Sequence, residues 1–418
     1  MTAPGREEAE RLDAADPLAA FRDRFVVGDP ETIYVDGNSL GRLPKETVAR
    51  LADRMAEWGG RLVQAWSEWI ELPERVGDEL APLLGADAGE VVMADSTTVN
   101  LYKLAWAALQ ARPGRRVIVT DEANFPTDRY VFQGLAAGRD AELRLLRSDS
   151  VEAPTAREVA AACAAGDVAL VSLQHVSYRS GALADMKAIT AATHDAGALV
   201  LWDLSHSAGA VPVALRAAGA DLAVGCTYKY LNAGPGALAY LYVRAELQDE
   251  LSSPIWGWFA QREQFRMGQE FDPVPGIGRF LAGTPPVLDL SAAEVGIGLA
   301  REAGIEPTRR KSEVLTELVV ALHDAWLVPL GFSLGTPRDP ERRGGHVSLR
   351  HADAWRICRA LIEGARVIPD YRAPDSIRFG LPPLYTRYVD AWDAVDRLRA
   401  LVEAGDHFAF DPTPGRVT

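Results

Sequence analysis

Between about residue 85 and residue 245 the chain alternates short apolar runs with stretches whose apolar residues recur every three or four positions. The runs are EVVMA, RRVIVT, AELRLL, DVALVSL, ALVLWD, DLAVGC and ALAYLYV. Short runs rich in Val, Leu and Ile, each followed by polar or turn residues, read as strands buried on both faces. Between them, segments such as Thr98–Gln110 and Met186–Ala196 carry helical spacing. The alternation predicts an α/β fold with a mostly parallel seven-stranded sheet and helices on both of its faces.

From about residue 296 the texture changes. Ala292–Trp326 is one long amphipathic stretch, followed by the strand-like runs HVSLR, ARVIPDY and SIRFG. Helical patterns then cover Asp353–Glu363 and Tyr388–Glu403, and the whole reads as a smaller α+β lobe. A chain of 418 residues is long for a single core, so two lobes are expected. The expected division is an N-terminal segment (1–60) packing on the small domain, a large domain (61–295) and a small C-terminal domain (296–418). The tail HFAFDPTPGRVT has turn chemistry and is expected to be loosely ordered.

A formal charge of −14 argues against nucleic acid or an anionic membrane surface as a main partner. Any anionic ligand therefore needs a local cationic pocket. No run of about 18 apolar residues is present, so no membrane span is expected. The N-terminal segment lacks an apolar h-region, so no signal peptide is expected. Cys163, Cys226 and Cys358 are widely spaced without CxxC, which predicts a reduced, cytoplasmic chain with no disulfide framework or zinc site. The seven histidines show no paired ligand spacing, so no metal is expected.

In sheets of this kind ligands sit at the carboxyl ends of the strands. The residues there are Asp95–Thr98, Asp121–Asp128, Gln174-His175, Asp203–His206 and Thr227–Lys229. Lys229 lies between an apolar strand and a glycine-rich turn. Partial desolvation favours the neutral amine that imine chemistry needs; a surface lysine at a strand end is the alternative. Lys45, Lys103, Lys187 and Lys311 lie on or beside helical patterns and read as surface lysines. Asp203 ends its strand, where a carboxylate can pair with the protonated pyridine nitrogen of pyridoxal phosphate, or can simply cap a helix. Asp95-Ser96-Thr97-Thr98 opens a helix, which makes either an anion site or an ordinary N-cap. Together with Lys229 and Asp203, a phosphate is the better fit.

These residues also carry a resemblance. YVDGNSLGRLPK, DSTTVNLYKL, NFPTD, WDLSHSAGAVPV, CTYKYLNAGPG, GWF, GIGRFLAGTPPV and YRAPDSIRFGLPPLYTRYVDAWDAV follow one another over roughly residues 30–400. In this order they resemble the kynureninases, pyridoxal-phosphate enzymes of fold-type I in the aminotransferase class-V group. The Asp-x-x-His and lysine segments alone would indicate only that wider group. The resemblance implies a cytoplasmic homodimer with shared active sites, acting on a small amino acid. The implied reaction is hydrolysis of the Cβ–Cγ bond of L-kynurenine, or a 3-hydroxy or ring-substituted relative, to an anthranilate and L-alanine.

It also implies roles. Lys229 would carry the cofactor as a Schiff base and then remove the substrate Cα proton. Asp203 would hold the pyridine nitrogen, His206 would lie beside the cofactor and Phe125 would stack on its ring. Thr97, Thr98 and Tyr228 would hold the phosphate, with Thr127 and Asp128 close by. Trp258 and Thr284 would reach the site across a dimer interface. Arg378 would clamp the substrate α-carboxylate, the alternative being a solvated strand arginine. Ser39 and Trp66 would lie on the substrate side, though Trp66 also suits a core. Tyr228 is in addition the candidate for later proton transfer.

The chain departs from the family pattern at three places. Ala260-Gln261 stand where Gly-His is usual, Gln174 where a small hydroxylated residue is usual, and QREQFRMGQEFD is unusually polar. These changes are expected near the aryl ring. Unpaired polar groups there would favour a hydrogen-bonding, 3-hydroxy-type ring, whereas Thr284 resembles the form that goes with plain kynurenine. A cysteine desulfurase or selenocysteine lyase would need a cysteine on a mobile loop. Cys358 sits in a helical core pattern and Cys226 just before the lysine, so neither fits. A pyridoxal-phosphate-binding protein without turnover would need a further binding domain, for which the chain has no room.

Overall fold

The computed structural model describes residues 3–139, 141–147, 149 and 151–415. In chain order its strands are Ile33–Tyr34 (β1), Val91–Met93 (β2), Val117–Asp121 (β3), Glu142–Leu146 (β4), Val168–Gln174 (β5), Leu199–Asp203 (β6), Leu222–Cys226 (β7), Ala239–Val243 (β8), Ser333–Leu334 (β9), His346–Arg350 (β10), Val367–Ile368 (β11), Asp370–Arg372 (β12) and Ser376–Gly380 (β13). Each of the seven apolar runs forms one strand of a seven-stranded sheet in the order β2-β8-β7-β6-β5-β3-β4. Only β8 runs against its neighbours.

Alternate side chains of these strands enter two different cores. Val171, Leu173, Val200 and Trp202 face one side, with Ile189 of the Met186–Asp195 helix. Leu170, Leu201, Leu222 and Val224 face the other, with Leu101 and Leu104 of the Thr97–Ala111 helix. Burial on both faces explains why these runs are apolar throughout and do not alternate; the edge strand β4, mostly unburied, carries Glu142 and Arg144.

The small lobe is a four-stranded antiparallel sheet, β12-β13-β10-β9, packed against the Ala354–Glu363 and Tyr388–Ala404 helices. The chain's start joins it. Asp13 accepts from the backbone N–H groups of Tyr388 (2.7 Å) and Val389 (3.0 Å), capping that helix as a carboxylate should. β1 pairs with β11, and Ala9, Ile33 and Val35 enter the small lobe's core. The Lys45–Arg61 helix instead lies against the Val287–Ala303 helix, with Arg54 Nε donating to Ser291 Oγ at 2.9 Å.

Two expectations change. The stretch 292–326 is not one helix: Val287–Ala303 ends and Ile305–Leu322 begins at Gly304, whose φ of 75° breaks the helix. The first of the pair packs on the large lobe through Leu290, Ala293 and Ile297, so the 295/296 division falls inside it. Helical spacing does not register a one-residue break. The start of the tail joins a helical turn, Asp406–Ala409, that buries His407, whereas 410–415 form no helix or strand and 416–418 lie outside the described residues. Among the described residues no helix is long and apolar enough to cross a membrane. No cluster of three His, Cys, Asp or Glu side chains could hold a metal ion there either.

Candidate active site

The parallel strands deliver their last residues to one edge. Gln174 and Asp203 end β5 and β6 as register partners, and β7 ends at Cys226, just before Thr227-Tyr228-Lys229. The backbone of that segment is held on two sides. Thr227 Oγ1 donates to Leu238 O at 2.6 Å, and Gly41 N donates to Tyr228 O at 2.8 Å. A Cβ on Gly41 would lie 2.3 Å from Lys229 O, so the N-terminal GNSLGR segment needs glycine where it crosses the lysine.

Lys229 Nζ lies 3.0 Å from His206 Nε2. Burial, and then the Lys229 charge, push the His206 pKa well below its ordinary value, so the ring is neutral and Nε2 can accept. Its Nδ1 is buried without a partner. Lys229 forms no ion pair among the described residues. Asp203 is buried, with Oδ1 accepting from Ser205 N (2.8 Å) and Oδ2 from Gln174 Nε2 (3.3 Å). Asp128, in the first turn of the Pro126–Arg139 helix beside Thr127, is buried with Oδ2 unpartnered. Burial, and then the Asp203 charge, raise its pKa well above the usual carboxylate range. Phe125 is 38% exposed and meets the edge of Tyr178 at 5.2 Å. Tyr228 is held as a phenol, its pKa raised first by Cys226 and then by burial.

Thr97 and Thr98 are the first two residues of their helix, and Ser96 caps it through Val99 N at 3.4 Å. Asp95 precedes them with φ 46°, its carboxylate 2.6 Å from Lys103 Nζ, which also donates to Phe280 O. Thr284 lines a cleft of about 390 Å³ together with Asp95 and Ser96. Lys103 is therefore no surface lysine, and nor is Lys311, which is buried against Asp16 at 2.6 Å. A helical pattern cannot reveal a carboxylate that arrives from another element, and such a partner is what makes a buried ammonium tolerable.

Arg378 is fully buried in β13, which removes the solvated alternative. It faces its register partner Asp370, Nε to Oδ1 at 2.7 Å and Nη2 to Oδ2. Nη2 also donates to Ser39 Oγ (3.1 Å) and Nη1 to Tyr178 O. Arg372 adds a second contact to Asp370 at 2.6 Å and keeps a buried, unpartnered Nε. Asp36 completes the group, its carboxyl pushed up to about 7 by burial and then by Asp370. Sequence reading overlooked Asp36, Asp370 and Arg372. The charged positions in DYRAPDSIR were the available signal, since two short strands joined by a turn place Asp370 opposite Arg378.

Other expected residues lie apart from Lys229. Trp66 packs on Trp69 at 5.7 Å and near Phe259 at 6.2 Å, while Trp258 packs on Phe259 at 4.8 Å. Among the described residues no hydrogen bond or ring contact joins Trp66, Trp258 or Thr284 to Lys229 or Asp203. The polar departures are spoken for as well. Ala260 is buried, Gln261 Oε1 accepts from Asp272 N at 2.8 Å, and Arg262 pairs with Asp272 at 3.0 Å. Gln174 is bound to Asp203. Gln174, Gln261, Arg262 and Asp272 are thus engaged within the chain and are not the unpaired polar groups expected of an aryl pocket.

The edge as a whole suits one cofactor. Asp128 Oδ2 and His206 Nδ1 are buried polar atoms awaiting partners, beside a lysine that forms no ion pair among the described residues. A ring over Phe125, a carbonyl carbon at Lys229 and a phosphate at the Thr97 helix start would each meet suitable chemistry. Pyridoxal phosphate carries all three, and the residues fit it.

Comparison with known proteins agrees. Residues 33–342 match the aminotransferase class-V family and residues 308–398 the kynureninase C-terminal domain. A protein of Burkholderia pseudomallei (strain 1106a) named kynureninase is 46% identical over 407 residues, 95% of either chain. One from Pseudomonas fluorescens with the same name is 44% identical over 408 residues, again 95% of each. Among solved structures, a cysteine desulfurase from Thermococcus onnurineus superposes with a TM-score of 0.78 at 20% identity, covering 97% of this chain and 99% of that one. An Escherichia coli cysteine desulfurase gives 0.77 at 19%, covering 93% and 98%. At such identities these two speak for the fold alone.

Proposed function

The chain belongs to the kynureninase family, and from that premise we propose that it hydrolyses the Cβ–Cγ bond of L-kynurenine or a ring-substituted kynurenine, releasing an anthranilate and L-alanine. The observation that carries the reading is Lys229, in no ion pair among the described residues, set beside Asp203, Asp128 and a neutral His206 at one sheet edge, with the buried Arg378 across from them.

Pyridoxal phosphate, when bound, supplies an electron sink for charge developing next to the substrate nitrogen. Lys229 Nζ would hold the cofactor covalently and, once freed by the substrate amine, would take the Cα proton and give it back before alanine leaves. His206 Nε2 accepts a hydrogen bond from that nitrogen and keeps it aimed. Asp203 would face the pyridine nitrogen, Phe125 would pack on the ring, and Thr97, Thr98 and the free N–H groups of their helix would hold the phosphate, with Thr127 and Asp128 alongside. Lys103 neutralises Asp95, which would otherwise repel that phosphate. Arg378, held by Asp370 and Ser39, orients the α-carboxylate. Tyr228, kept as a phenol, holds the proton that the departing carbon needs. A water molecule supplies the new C–O bond and the remaining proton.

Trp258 and Thr284 are exposed and belong to a surface with Trp256, Phe265 and Met267, all strongly exposed. We take this as the face through which a homodimer forms and each subunit completes the other's site. Mixing Lys229→Ala with Trp258→Ala protein should then restore part of the lost activity. Three buried free thiols suit a reducing compartment such as the cytoplasm. They also argue against a desulfurase, which needs a reachable cysteine.

The test is to incubate the pyridoxal-phosphate-loaded protein with L-kynurenine and follow anthranilate fluorescence and alanine. Equal release of both, with a shift of the visible cofactor band, is expected. A band that stays unchanged with no product would indicate a binder without turnover.

A further inference from the structure

We infer that Gln174 is a positioning residue that locks the Asp203 carboxylate and ties it to the arginine side of the site. The inference rests on the cofactor reading above but not on the identity of the substrate.

β5 and β6 are parallel neighbours, and Gln174 and Asp203 are register partners at their last positions, so the two side chains stand side by side. Gln174 Nε2 donates to Asp203 Oδ2 at 3.3 Å. At its other end Oε1 accepts from Tyr178 N at 3.1 Å. Tyr178 is itself a junction. Its carbonyl accepts from Arg378 Nη1, and its ring meets Phe125 at 5.2 Å. One amide thus connects the carboxylate, the residue that packs on the cofactor ring and the guanidinium.

The Asp203 carboxylate needs such a tether. Oδ1 is fixed by Ser205 N within its own turn. A terminal carboxylate torsion is broad and roughly two-fold, so one contact leaves the plane free to rock. The second contact, from Gln174 to Oδ2, sets the plane. The buried Asp128 lies within electrostatic reach of that carboxylate, and the Asp203 charge is one of the causes that raise the Asp128 pKa. The charged groups around Gln174 are Asp203 on β6 and, about the adjoining cleft, Asp121, Asp149, Glu152 and Arg179. His175, the next residue, is neutral: burial lowers it to about 4, and its Nδ1 lies 3.0 Å from Ser207 Oγ. Gln174, uncharged, is the group that donates to Oδ2 without adding a charge of its own.

The experiment measures pyridoxal phosphate binding by visible circular dichroism, with thermal unfolding alongside. Gln174→Leu keeps the bulk and loses both bonds; its dissociation constant should rise roughly 10-fold at every pH. Gln174→Glu can still donate while protonated. It should bind nearly as the parent does at about pH 6 and lose affinity steadily towards about pH 9, as two adjacent carboxylates come to share the charge. A purely structural role would lower the melting temperature without introducing this pH dependence. Parental affinity in both variants across the pH range would overturn the inference. If the parent itself bound no pyridoxal phosphate, the cofactor reading and the inference would both fall. If it bound but turned over no kynurenine, only the proposed reaction would.

Discussion

Two strand edges of this molecule each hold a cation, and they treat it in opposite ways. At the end of β7, Lys229 has a neutral imidazole for a neighbour, with unpartnered atoms on His206 and Asp128 close by. In the middle of β13, Arg378 has spent Nε, Nη1 and Nη2 on Asp370, Tyr178 and Ser39. The first edge is chemically unfinished and suits a group that bonds covalently. At the second the guanidinium is held on three sides, and its value lies in rigidity: the cation is fixed in place before any carboxylate arrives.

The sharpest way to break this comparison is Lys229→Ala. It should abolish turnover and the visible cofactor band, and borohydride should no longer fix the cofactor to the protein. With five lysines in the chain, two of them ion-paired in the interior, peptide mapping is decisive. Label on another lysine would show that the unfinished edge had been wrongly identified.

Next in size is Arg378→Ala. Removing one member of a buried, hydrogen-bonded pair costs about 3–5 kcal/mol, and here it leaves Asp370 with only Arg372 and the Ser39 hydroxyl. Urea unfolding should show the loss, and an unaltered midpoint would contradict the pairing. The milder Arg378→Lys keeps the charge and loses the fork. KM for kynurenine should rise about 10-fold or more, on the scale of ~1.5–3 kcal/mol for a charge-assisted bond, and an unchanged KM would refute the clamp.

Asp36 provides a pH test of the same region. Its carboxyl titrates at about 7 in the folded chain and near ~3.9 unfolded, so the folded state binds the extra proton between these values. The stability it contributes is complete below about pH 4 and is lost as pH rises through about 7. Asp36→Asn stays neutral throughout and should gain on the parent at about pH 8 relative to about pH 5. Parallel stability curves for the two proteins would argue that Asp36 is already ionised.

The smallest effect concerns the polar run. Since Gln261 is spent on Asp272, Gln261→Ala should change the ratio of kcat/KM for 3-hydroxykynurenine over kynurenine by less than about 2-fold. A larger change would return Gln261 to the aryl pocket.

What the sequence determined by itself was local. Seven runs long enough to be strands became seven strands, and the lysine, the Asp-x-x-His segment and the hydroxylated helix start all sit at strand ends, because burial patterns and turn residues act over a few positions. The motif order also carried the family. What it could not contain was the choice of partner. Gln174 was read as part of a ring pocket until strand register set it against Asp203. Lys103 passed for a surface residue until Asp95 and Phe280 closed on it, and the helical spacing of 292–326 concealed a turn at Gly304. Ser39 meets Arg378 across most of the chain's length. Periodicity reports whether a side chain is buried. What satisfies it once buried depends on distances between elements remote in sequence, and those exist only after the strands have found their order.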